Sequence, residues 1–254
     1  MDVFALFASP AAWAALLTLL TLEIVLGIDN LVFVSLLSNT VPAADRRRVR
    51  RLGIGLALGL RLLLLSGIAW LVRLTAPVFD LGLAGPLGAH GEPTFETAFS
   101  WRDLILIAGG LFLVWKATTE IGHTVDGGHD EGVASSRAAS SVGAAIVQIL
   151  LLDMVFSLDS ILTAVGMTDE LPIMIAAVIL AVGVMLLAAD PLADFIGRNP
   201  SVVMLALAFL LMIGLVLIAD GFGVHVPKGY IYAAMAFSAA VESLNLMRRR
   251  RAKG

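Results

Sequence analysis

Long apolar runs separated by short polar stretches dominate this chain. A helix that crosses a bilayer needs about 20 largely apolar residues. Seven runs meet that length, at about 11–37, 52–74, 104–121, 142–167, 172–189, 202–219 and 230–247. The pattern predicts an all-α membrane protein with seven transmembrane helices. No linker divides the runs, so residues 1–254 read as a single transmembrane domain.

The punctuation follows the same spans. Pro42 comes just after the first run, and Pro172 and Pro227 come just before the fifth and seventh. Proline suits helix starts and is poor in helix interiors. Asp190-Pro191 and Asn199-Pro200 therefore bracket a short loop between the fifth and sixth helices. Trp13, Trp70, Trp101 and Trp115 fall near predicted segment ends, where an aromatic belt sits. Two stretches read as flexible linkers: 75–101, rich in Gly and Pro, and 122–140, rich in small and polar residues. The second holds His123, Asp126, His129 and Asp130. A loose metal site there is weighed against a solvated linker, and the linker is the reading preferred.

Composition agrees with a membrane protein. Hydrophobic residues make up 59% of the chain, against about 45–50% in an ordinary soluble domain, and the mean hydropathy is +0.95. There are no cysteines, which excludes disulfides, thiolate zinc sites and cysteine nucleophiles. The N-terminus lacks the positive region of a cleavable signal peptide, so the first helix is expected to be retained.

The distribution of charge matters more than the net charge of -3. Arg46, Arg47, Arg48, Arg50 and Arg51 follow the first run, and Arg248 to Arg251 with Lys253 follow the last. Such clusters can bind nucleic acid, but beside apolar helices they read as cytoplasmic anchors. The stretch before helix one has no Lys or Arg. The N-terminus is then predicted outside and the C-terminus in the cytoplasm, and an odd number of spans requires opposite sides.

Two helices carry acids where acids are costly. Helix one holds Glu23 and Asp29, followed by Asn30. Helix four holds Asp153 and Asp159, followed by Ser160. Each motif reads acid, three apolar residues, a small residue with an apolar neighbour, Asp, then an amide or hydroxyl. A charged residue at the bilayer centre costs about 2.5–3.5 kcal/mol on insertion scales. Four such acids need a partner: a basic side chain, a proton or a cation. Arg61 in helix two, and Lys116 with Glu120 four residues beyond it in helix three, are candidate charge partners.

Residues six apart on an ideal helix lie about 120° apart around its axis. Each helix therefore either presents a broad polar wedge or unwinds near Gly27 and Ser157. Helices one and four, separated by three spans, run in opposite directions. The two motifs then form an inverted repeat of three helices plus three, with one extra C-terminal helix. Repeats of this kind put substrate sites near the midplane.

Carboxylate, amide and hydroxyl oxygens suit hard divalent cations. Glu23, Asp29, Asn30, Asp153, Asp159 and Ser160 are therefore candidate ligands for Mn, Ca or Mg. The His residues lie in predicted loops or at a helix end, which makes zinc and copper poor fits. No nucleotide-binding motif, GxGD pattern, Ser/His set or HExxH is present, so neither an ATP-driven pump nor an intramembrane hydrolase is indicated. The expectation is a non-enzyme whose partners are the bilayer and a divalent ion, with no resident cofactor and no nucleic acid. The competing expectation is a non-transporting scaffold whose acids sit in internal ion pairs.

The strings EIVLGIDNLVFVSLL, DMVFSLDSILTAVGMTD, GGLFLVWKATTEI and PKGYIYAAMAFSAAVESLNL together resemble the TerC family of integral membrane proteins, over about residues 12–247. The resemblance implies a fold related to the LysE transporter superfamily. It also implies manganese export as an activity of several members, a link by name to tellurium resistance, and a bacterial inner-membrane location. Glu23, Asp29 and Asn30 match the first acidic motif of the family, and Asp153, Asp159 and Ser160 the second. Other members are tied to membrane-protein assembly in plastids, which keeps the scaffold alternative in view.

Overall fold

A computed structural model describes residues 9–86, 95–126, 141–165, 168, 170–224 and 226–251. Among these residues there are eight helices and one hairpin. The helices are α1 (Pro10–Ser38), α2 (Arg46–Ser66), α3 (Ile68–Arg73), α4 (Trp101–Asp126), α5 (Val142–Val165), α6 (Leu171–Arg198), α7 (Pro200–Gly221) and α8 (Lys228–Arg251). The strands are β1 (Pro77–Ala84) and β2 (Glu96–Ser100). Among the described residues five helices are long and apolar enough to cross a membrane: α1, α4, α5, α6 and α7. The helix α2 falls short because six of its 21 residues are arginines. The helix α8 falls short because Glu242 and Asn245 interrupt its apolar stretch before the closing arginines.

Local chemistry explains the helix starts. Pro10 opens α1 and Pro200 opens α7, where a missing N–H costs nothing. Ser100 and Asp103 form a capping box at α4. The Ser100 N–H donates to Asp103 Oδ2 at 2.9 Å, and the Asp103 N–H donates to Ser100 Oγ at 3.2 Å. Ser141 caps α5 by accepting the Ala144 N–H at 3.1 Å.

Several boundaries differ from the sequence expectation. The arginine cluster lies inside α2, whose first turn begins at Arg46 rather than near 52. The predicted second helix is two pieces, α2 and α3, parted at Gly67. The loop expected at 190–199 does not form. Instead α6 runs through Pro191 to Arg198, and only Asn199 separates it from α7. Proline removes one hydrogen bond from a helix interior, but the preceding Asp190 is pinned by three arginines of α2, which favours continuity. The helix α4 runs to Asp126, so Trp115 lies mid-helix rather than near an end. The stretch 75–101 is not wholly irregular: it contains β1 and β2, paired antiparallel with Pro77 opposite Ser100 and Ala84 opposite Glu96.

The chain forms two compact units, Met1–Ala76 with Gly132–Phe195, and Pro77–Glu131 with Ile196–Gly254. In the first, α1 and α2 pack on α5. Leu19, Leu65, Leu71, Ile149 and Val182 are fully buried there. Gly27 leaves room for Met185 of α6, whose sulfur would lie 2.6 Å from an added Cβ. Gly53 of α2 does the same for Ile149 of α5, at 2.9 Å.

In the second unit α4 lies along α7 at very close range. A Cβ on Gly110 would sit 2.6 Å from the Gly214 carbonyl oxygen, and one on Gly214 would sit 2.9 Å from the Gly110 oxygen. Small residues at such crossings let helix backbones approach closely in a membrane. The hairpin docks on the end of α7. The Glu96 N–H donates to the Phe222 oxygen at 3.1 Å, and Phe99 stacks edge-on against Phe222 at 5.4 Å.

Candidate metal centre

The first unit holds a buried charge cluster built from three helices. Glu23 comes from α1, Arg61 from α2 and Asp153 from α5, all of them buried. The guanidinium bridges the two acids. Arg61 Nη1 donates to Glu23 Oε2 at 2.6 Å. Arg61 Nη2 and Nε donate to Asp153 Oδ1 at 2.7 and 3.1 Å. A planar guanidinium makes such forked bonds well, and in a dry interior they are among the stronger polar contacts available.

The helix period supplies the next layer. Ser157 lies one turn beyond Asp153, so its hydroxyl reaches back and donates to Asp153 Oδ2 at 3.2 Å. Ser160 lies nearly above Asp153, and its hydroxyl donates to the Ser157 carbonyl oxygen at 3.3 Å and comes within reach of Glu23. Both serines are buried. Both α1 and α5 are continuous helices through Gly27 and Ser157, so neither is unwound there. Gly27 is explained by Met185 seated against it, not by a break.

Two carboxylates face one guanidinium, so with all three ionised the cluster carries one formal negative charge. Beside it lies a cavity of about 30 Å³, lined by Asn30, Arg61 and Asp153 together with Phe33, Ile149, Val182, Met185 and other apolar residues. That volume admits one or two water-sized groups. The Asn30 side-chain nitrogen is buried and has no hydrogen-bond partner among the described residues. A smaller cavity of about 10 Å³ lies on the other acid, lined by Glu23, Leu19, Leu65, Ile161 and Met174 among others.

Of the six ligand candidates, Glu23, Asp153 and Ser160 are brought together, and Asn30 lines the cavity next to them. Asp159 is half-buried on α5. The Asp29 side chain lies outside the described residues, as do those of His123 and Asp126 and all of His129 and Asp130. Among the described residues no group of three or more His, Cys, Asp or Glu side chains is arranged to hold a metal ion. Between Glu23 and Asp153 the bridging position is taken by the guanidinium of Arg61.

Of the candidate charge partners, Arg61 engages the acids. Lys116 is met by Glu120 on its own helix, Nζ to Oε1 at 2.7 Å, as the four-residue spacing predicts. Glu242 accepts from the Asn245 amide at 3.2 Å.

A second charged cluster was not visible in the sequence. Asp190 of α6 accepts from Arg47 Nε at 2.9 Å, Arg50 Nη2 at 3.0 Å and Arg51 Nη2 at 3.3 Å. Arg50 is buried and also donates to Ser38 Oγ at 3.2 Å. The partners are about 140 residues apart, and no local spacing announces such a pairing. Ser157, by contrast, was findable: it stands four residues after Asp153 on a helix.

Apolar helices with outward-facing Leu, Val and Phe side chains, and a charged centre enclosed between them, define an integral membrane protein with a polar interior. The chain matches the integral membrane protein TerC family over residues 8–253 and belongs to it. It is 53% identical over 249 residues to the UPF0053 inner membrane protein YgdQ of Escherichia coli strain K12, covering 98% of both chains. It is 45% identical over 248 residues to a UPF0053 protein of Haemophilus influenzae, covering 98% of this chain and 99% of that one. The UPF0053 inner membrane protein YoaE of E. coli K12 is 49% identical over 246 residues, but this chain spans only 44% of its length. No solved structure matches the chain.

Proposed function

We propose that this protein moves a divalent cation, Mn(2+) before Ca(2+) or Mg(2+), out of the cytoplasm, with the acids of α1 and α5 as the ion's ligands. The observation that carries the reading is the surplus of buried acid. Glu23 and Asp153 are two buried acids that share one guanidinium, Arg61. Membrane-embedded carboxylates that exceed their basic partners mark ion or proton paths. Asn30 and Ser160 add neutral oxygens of the hard type that Mn(2+) accepts. The family resemblance supports manganese as cargo, a LysE-like relationship and transport rather than catalysis.

In this reading α2 and α8 complete a set of seven spans. The motifs of α1 and α5 are the two halves of an inverted repeat, with α8 as the extra helix. The arginines of α2 and the tail of α8 face the cytoplasm, leaving the N-terminus outside.

The Arg61 bridge favours a second reading, a scaffold in which the acids serve only in ion pairs. Cellular manganese separates the two. Cells that lack the protein are expected to accumulate Mn and become Mn-sensitive, and the intact chain is expected to restore tolerance. Asp29→Ala and Asp159→Ala variants that reach the membrane are expected to fail. Full tolerance with both variants would rule out transport through these acids.

A further inference from the structure

Arg61 holds the carboxylate oxygens that a cation between Glu23 and Asp153 would need. Its Nη1 is 2.6 Å from Glu23 Oε2 and its Nη2 is 2.7 Å from Asp153 Oδ1. The side chains of all three are at least nine-tenths buried. A guanidinium and a metal ion are both positive, and they cannot share one pair of oxygens in a dry interior.

We propose that Arg61 is the resident counter-ion of the empty site, an internal competitor that the cargo cation displaces on loading and that displaces the cargo on release. The proposal rests on the transport reading above and assigns the regulation of that site. The bridge balances one of the two acid charges while no ion is bound, so the empty protein avoids two uncompensated buried carboxylates. The cavity of about 30 Å³ lies on the Arg61–Asp153 side and is also bounded by Asn30. An ion entering there meets Asp153 and the Asn30 amide while Arg61 still holds Glu23. Exchange then proceeds one carboxylate at a time.

Competition of this kind has a thermodynamic signature. An internal competitor lowers apparent affinity by the factor by which its own bridge is favoured. Removing it tightens cation binding and slows release. Arg61→Met keeps an unbranched apolar stem and removes the charge. Arg61→Lys keeps the charge but replaces the fork with a point donor that bridges two acids poorly.

The experiment titrates the full chain in detergent micelles with Mn(2+) alone, reading free Mn(2+) by electron paramagnetic resonance. The expected result is binding by the intact protein and at least about tenfold tighter binding by Arg61→Met, equivalent to about 1.4 kcal/mol. Arg61→Lys is expected between them and decides the matter if Arg61→Met does not fold. Tight binding by the variants with none by the intact chain also supports Arg61 as the competitor. Binding by the intact chain with equal or weaker binding by the variants overturns the competitor role and leaves the metal site standing. No binding by any of them overturns both.

Discussion

Exchange of Arg61 for methionine strikes the charged centre of the first unit directly. It removes the 2.6 Å contact to Glu23 and the 2.7 Å contact to Asp153, together with the Nε bonds at 3.1 and 3.2 Å to the two Asp153 oxygens. It leaves two carboxylates, on residues only 4% and 8% exposed, with no cation between them. Removing one partner of a buried pair costs about 3–5 kcal/mol. Glu23→Gln is the matched control, because it leaves Arg61 and Asp153 balanced one to one. Its cost should be about 1–3 kcal/mol, the range for a buried polar group that loses its best partner. Thermal unfolding of the full chain in one detergent at one pH, without divalent ions, ranks the three proteins. The expected order of stability is intact chain, Glu23→Gln, then Arg61→Met. An Arg61→Met protein as stable as the intact chain would refute the charge argument. So would a Glu23→Gln protein that falls equally far.

Three further outcomes follow from the packing. Gly110→Ala puts a Cβ 2.6 Å from the Gly214 oxygen, so α4 and α7 must part, at about 1–3 kcal/mol, whereas Gly59→Ala meets nothing within 4 Å and should gain up to about 1 kcal/mol of helix propensity; unfolding midpoints in detergent compare them. Asp190→Asn removes the shared anion of Arg47, Arg50 and Arg51 and should cost about 1–3 kcal/mol, chiefly through the buried Arg50; a salt titration should find part of this loss screened in the exposed Arg47 and Arg51. Ser157→Ala removes the 3.2 Å bond to Asp153 and should cost about 1 kcal/mol, and a Mn(2+) titration should read it as a shift in affinity smaller than that from Asp153→Asn.

Much of this architecture was legible because a bilayer imposes length and apolarity on its helices. The runs around α1, α5 and α7 read close to their observed ends. The errors arose where tertiary contacts overrode local punctuation. Pro191 looked like a stop, yet α6 continues past it, its preceding residue anchored to α2. The Arg46–Arg51 cluster looked like a loop because arginine is costly in a membrane, but as the first turns of α2 those side chains reach Asp190 and the chain end of α1. The hairpin of β1 and β2 was hidden by the glycines and prolines of its segment.

The candidate site was partly legible. Buried acids in apolar helices announce that something must balance them, and Arg61 stood out as a basic residue inside a helix. Which of Arg61 and Lys116 would engage the acids depended on helix packing that no spacing rule supplies. The choice between an unwound and a continuous helix turned on Gly27, whose role is to admit Met185, a residue 158 positions away by number.

The central claim is that the carboxylates of α1 and α5 hold a divalent cation in passage. Mn(2+) flux into liposomes containing the purified full chain tests it most directly, with Glu23→Gln and Asp153→Asn measured beside the intact protein. Saturable flux by the intact chain that is lost in both variants, at equal protein incorporation and folding, is the result predicted here. Equal flux in all three, or no flux above protein-free liposomes in any, would contradict it.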